Sequence, residues 1–107
     1  MVTTLPQLAF DPQALRDVCR RCGIRRLWVF GSAARSDLRE DSDIDVAVEY
    51  VPGQKPDLFE FVGHQDELAN VLGHKLDLAT LESIRPVVLR RIEPDLRLIY
   101  EADDDAS

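Results

Sequence analysis

Asp43 and Asp45 stand one residue apart at the head of an apolar run, Ile44 to Val48. On an extended chain that spacing turns both carboxylates to one face while Ile44, Val46 and Val48 turn to the other. Gly31-Ser32 lies twelve residues earlier and directly follows a second apolar run, Leu27 to Phe30. A Gly-Ser turn at the end of a strand offers backbone N–H groups and a hydroxyl to an anion. A third aspartate, Asp77, interrupts the run KLDLAT with Leu76 and Leu78 on either side of it. If the strands carrying these acids adjoin, three carboxylates converge. Their mutual repulsion is relieved by divalent cations, and hard oxygen ligands with open positions favour magnesium or manganese. In this reading Asp43 and Asp45 bridge two metal ions, Asp77 completes the second site, and Gly31 and Ser32 hold the terminal phosphates. Arg35, one turn further on, offsets phosphate charge.

Several elements must position these groups. Asp11-Pro12 is a helix start, with aspartate as cap and proline at the first helical position. Leu15, Val18, Cys19 and Cys22 follow at helical spacing, and Gly23 closes the segment. Ile24 to Phe30 is the first strand, apolar enough to be buried on both faces. Gly31 to Ala34 opens a short helix, residues 35–42 form a charged connection, and Ile44 to Tyr50 is the second strand. Pro52-Gly53 breaks the chain before a helix over 57–72, whose apolar stripe is Leu58, Phe61, Val62, Leu68, Val71 and Leu72. Lys75 to Thr80 is a third strand. A helix over 81–92 follows, regular from about Arg85 because of Pro86. Pro94 ends it before a last strand over 96–100. Alternating strands and helices imply an α/β fold, a small mixed sheet with helices packed on it.

With 107 residues the chain is long enough for one modest core, expected over about 11–102, with an acidic tail at 103–107. The net charge of −7 argues against direct binding to a nucleic-acid backbone, which needs a basic face. Neither a membrane span nor a secretory signal is expected, so the reading is cytoplasmic, with Cys19 and Cys22 as reduced, half-buried helix thiols. His64 and His74 read as solvated residues near helix ends. Lys75 is balanced between touching substrate phosphate and screening the aspartates. Arg16, Arg20, Arg21, Arg25 and Arg26 read first as a solvated helix end, with a lock for the acidic tail or a partner surface as alternatives. Trp28, Phe30, Phe59 and Phe61 read as core aromatics rather than a nucleobase box.

VFGSAAR followed by DSDIDVAV resembles the signature of the nucleotidyltransferase superfamily that shares its catalytic core with DNA polymerase beta. KLDLAT is similar to the strand bearing that family's third carboxylate. The closing stretch RPVVLRRIEPDLRLIYEA resembles the end of the minimal nucleotidyltransferases, small proteins encoded beside HEPN-domain toxins. The likeness spans roughly residues 24–102. It implies the polymerase beta-like fold, ATP as substrate and two Mg2+ ions. It further implies an antitoxin that adds AMP to a tyrosine of a HEPN ribonuclease in a hetero-oligomer. On this match Gly31 and Ser32 are the phosphate-binding pair, and Asp43, Asp45 and Asp77 are the catalytic metal ligands. Ser36 stands where many relatives have glycine, which loosens the carry-over at Arg35. Two other readings remain open: neutralisation of the partner by docking alone, and adenylyl transfer to a small molecule or an RNA end.

Overall fold

The structure is a computed structural model, and it describes residues 9–31, 34 and 43–102. Helix α1 runs Pro12–Cys22. The Asp11 side chain accepts from the Gln13 N–H at its start, and Gly23 closes it in the left-handed conformation. Strand β1 is Ile24–Phe30 and strand β2 is Ile44–Tyr50. Helix α2, Leu58–Leu72, begins with a reciprocal cap: Asp57 accepts from the Glu60 N–H while Glu60 accepts from the Asp57 N–H. Strand β3 is Leu76–Thr80; a single 3-10 turn, Leu81–Ser83, leads to helix α3, Pro86–Ile92. Strand β4, Arg97–Glu101, closes the sheet. Pro86 sits in the first turn of α3, where its missing N–H costs nothing.

The strands form one mixed sheet in the order β3-β2-β1-β4. β1 is antiparallel to both β2 and β4, and β2 is parallel to β3, the pair joined by the α2 crossover. One face of the sheet is the core. Ile24, Leu27, Val29, Ile44, Val46, Val48, Leu76, Leu78 and Ile99 meet Leu15, Val18, Cys19 and Cys22 of α1 and Leu68 and Leu72 of α2 there. β3 is an edge strand, and part of its outer side is covered: the Leu78 N–H donates to Gln65 Oε1 of α2 at 3.2 Å.

Burial corrects the sequence reading in three places. β1 is not enclosed on both faces: Leu27 and Val29 are buried, but Trp28 and Phe30 on the opposite face are half-exposed, because the core helices cover one side only. The apolar stripe of α2 is buried only toward its C-terminal end. Leu58 is 75% and Val62 47% exposed, and Phe59, expected in the core, is 89% exposed. His64, expected in solvent, is half-buried and bonded to the Tyr50 hydroxyl through Nδ1 at 2.8 Å. The short helix and charged connection expected between Gly31 and Ser42 lie largely outside the described residues, as does the acidic tail.

Candidate active site

The acids are placed by the central strand. Ile44, Val46 and Val48 are fully buried, so alternation turns Asp45, Ala47 and Glu49 to the face away from the core helices, with Asp43 just ahead of the strand. β3 has the same polarity: Leu76 and Leu78 enter the core and Asp77 is exposed on the other side. The parallel register sets Ile44 beside Leu76 and Asp45 beside Asp77. The Ile44 N–H donates to the Lys75 carbonyl at 3.0 Å, which pins the two strand starts together. Partners in such a register project to the same face with backbones about 4.8 Å apart. Asp45 and Asp77, thirty-two positions apart in sequence, are therefore neighbours on the face that the core helices leave uncovered.

β1 supplies the other flank. Its last residue, Phe30, pairs with Asp45, so the chain leaves the sheet at Gly31 beside the same carboxylate. Gly31 has φ +73°, and a Cβ built on it would overlap Asp45 Oδ2. Only glycine lets this backbone pass so close to the acid. Thus Gly31 and Asp77 flank Asp45 on opposite sides. Asp43 is exposed at the mouth of β2, two residues before Asp45. Ser32 and Arg35 lie outside the described residues. Lys75 is exposed immediately before β3, two residues from Asp77.

As the side chains stand, no three His, Cys, Asp or Glu groups among the described residues are gathered closely enough to hold a metal ion. The donors at the site are carboxylate oxygens on an open face, a set suited to a hard divalent cation that keeps water and substrate oxygens in its shell. A cavity of about 320 Å3 opens elsewhere, lined by Val48, Glu49, Tyr50, Thr80, Leu81, Glu82 and Leu89. It lies at the opposite ends of β2 and β3 and contains none of the three aspartates.

Two arginines away from the acids have structural work. Arg26 donates to Glu49 at 2.8 Å and to Glu101 at 2.6 Å, tying β1 to both its neighbours. Arg21 donates to Glu67 at 2.6 Å, and the Cys22 thiol to the other oxygen of Glu67, joining α1 to α2. Arg21 holds the Glu67 carboxyl below the usual range, and Arg26 does the same for Glu101. Two arginines of the set expected to be solvated are therefore in ion pairs. Burial pushes the Cys19 thiol up to about 12. Burial first, then the hydrogen bond to Glu67, does the same for Cys22. These thiols are protonated at neutral pH and are packed in the core rather than half-buried. Sequence reasoning missed the Tyr50–His64 contact and the passage of Gly31 against Asp45. A glycine closing an apolar strand was the one available signal for the latter.

Among the described residues no helix is long and apolar enough to cross a membrane. The sequence is 41% identical over 70 residues to a Methanocaldococcus jannaschii protein, MJ0435, provisionally named a protein adenylyltransferase. That match covers 65% of this chain and 73% of the relative. It is 30% identical over 77 residues to protein adenylyltransferase MntA of Thermococcus cleftensis, covering 72% and 76% of the two chains. The fold is similar, at a TM-score of 0.68 and 21% identity, to a chain of a toxin–antitoxin crystal structure with AMP-PNP, covering 89% of this chain and 77% of that one. It is also similar, at 0.59 and 20%, to a chain of the Shewanella oneidensis complex of tri-AMPylated HEPN toxin with MNT antitoxin, covering 89% and 73%. Residues 12–99 match the family described as nucleotidyltransferase domain, and this chain belongs to that family.

Proposed function

We propose that this nucleotidyltransferase moves AMP from ATP to a tyrosine hydroxyl of a HEPN-domain toxin and thereby acts as its antitoxin. The observation that carries the reading is the register of β2 and β3, which sets Asp45 beside Asp77 with Gly31 against Asp45 on the other flank. The relative named protein adenylyltransferase MntA and the fold shared with a complex of AMPylated HEPN toxin support the acceptor class.

Asp43, Asp45 and Asp77 are the residues to hold divalent magnesium. When bound, it would neutralise charge on the triphosphate and lower the pKa of the attacking hydroxyl. Gly31 and Ser32 receive the terminal phosphates, with backbone N–H groups and the serine hydroxyl as donors, and Arg35 offsets their charge. Asp77, which is exposed, would help take the phenolic proton. The acceptor oxygen forms a bond to the α-phosphorus, the bond from that phosphorus to the bridging oxygen breaks, and pyrophosphate leaves. Substrate oxygens and water would supply the ligands that the three carboxylates do not.

Labelled ATP offered with the purified HEPN protein tests the reading. AMP is expected on the toxin, and Asp43→Asn with Asp45→Asn is expected to abolish both transfer and protection of cells. Protection that survives without transfer would establish docking instead. Label moving to RNA or a small molecule would reassign the acceptor.

A further inference from the structure

Three apolar side chains at the start of α2 are exposed to water. Phe59 is 89%, Leu58 75% and Val62 47% exposed. They lie at i, i+1 and i+4, which on a helix is one contiguous surface. Phe61, Leu68 and Leu72 on the adjoining side of the helix meet the core, so the exposed surface begins where the core-facing stripe ends. A fully exposed phenylalanine backed by leucine and valine is the pattern of a contact surface.

The charges around the patch identify what can cover it. Asp57 and Glu60, exposed, flank it along the chain, and Asp66, also exposed, continues the same side of the helix one turn on. A second copy would bring acids against acids on a chain whose net charge is already −7, which disfavours self-association. A partner with an apolar depression inside a lysine- and arginine-rich rim complements both features. The position matters as well. α2 returns alongside β2 from the strand's C-terminal end, where His64 meets Tyr50, so the patch is at the far end of β2 from Asp45. Asp45 and Tyr50 are five steps apart along the strand, roughly 17 Å.

We propose that the Leu58–Phe59–Val62 surface is the docking site for a basic protein partner. On the reading above, that partner is the HEPN protein, held at a distance from the acids so that Asp43, Asp45 and Asp77 stay open to nucleotide. Holding the partner there raises the local concentration of its acceptor at the acids without blocking them.

The test uses the whole chain and a purified HEPN-domain protein, with affinity measured by calorimetry. Phe59→Ser with Val62→Ser is expected to weaken binding at least tenfold while leaving melting temperature and ATP binding unchanged. Asp66→Lys is expected to weaken it by a smaller factor that vanishes at high salt. Should the double variant perturb folding, Asp66→Lys alone reads the same surface. Equal affinity of wild type and both variants would overturn the docking site and leave the proposed activity standing. Absence of any binding by wild type would overturn both. A homodimer in sedimentation that the double variant dissolves would assign the patch to a second copy and overturn the proposal.

Discussion

Gly31→Ala tests the geometry of the site most directly, because the structure separates its two consequences. The first is backbone strain. At φ +73° a residue with a Cβ costs roughly 1–2 kcal/mol, which in a domain of this size lowers the melting temperature by about 4–8 °C per kcal/mol. The second is steric: the added methyl would overlap Asp45 Oδ2, so the carboxylate or the turn must give way. A displacement on the order of 1 Å in a catalytic group costs about 10²-fold in rate. Gly53→Ala supplies the control. Its φ is +89°, yet nothing beyond its chain neighbours lies within 4 Å of the position its Cβ would take. Both variants are therefore expected to melt at lower temperature, Gly31→Ala by at least as much as Gly53→Ala. Only Gly31→Ala should lose AMP transfer, by about 10²-fold, measured as labelled AMP on the acceptor well below either melting temperature. Transfer within threefold of wild type in Gly31→Ala would refute the reasoning, since either Asp45 is not needed or its position is not set by the turn.

The facing acids should also be visible without turnover: Mg2+ or Mn2+ is expected to raise the melting temperature of wild type and to leave Asp77→Asn nearly unmoved, while transfer by Asp77→Asn falls at least about 10²-fold. An equal metal-induced shift in both proteins would remove Asp77 from the site. Acid should weaken the fold through Glu101, whose carboxyl Arg26 holds below its ordinary range. Its contribution is complete above the unfolded value of about 4.3 and disappears as pH falls through the lower folded value, so Glu101→Gln is expected to lose stability at pH 7 and to show a flatter acid limb in pH-dependent melts. The core thiols give the opposite sign. Cys19 and Cys22 titrate near 12 when folded and near about 8.5 when unfolded, so their contribution is complete below the latter and is lost as pH rises through the folded value. Iodoacetamide at pH 8 should therefore label them only as fast as the chain opens, and rapid labelling of the native protein would contradict their burial.

Local rules made most of the scaffold readable. Asp11-Pro12 and Gly23 bracket α1 because capping groups and a left-handed glycine act within one turn. Ile24–Phe30, a nearly continuous apolar run, and Ile44–Tyr50, whose apolar residues recur with the period of an extended chain, are strands from end to end. The same alternation fixed which way Asp45 and Asp77 turn, since Ile44, Val46, Leu76 and Leu78 have to be inside. The family was likewise legible in the spacing of Gly31, Asp43, Asp45 and Asp77. Distance between elements was not. That Asp45 stands beside Asp77, and that Gly31 crosses against Asp45, follow from strand order and register, which are settled by the α2 crossover and by pairing across the whole sheet. Periodicity also told which side of α2 is apolar but not how far the layer beneath it extends, so Leu58 and Val62 were read as core and are in water, as is Phe59. Arg26 could be counted as a charge in the sequence, but Glu49 and Glu101 became its partners only when β2 and β4 closed on β1. A side chain's direction is set by its nearest neighbours along the chain, whereas its company is set by the packing of distant segments.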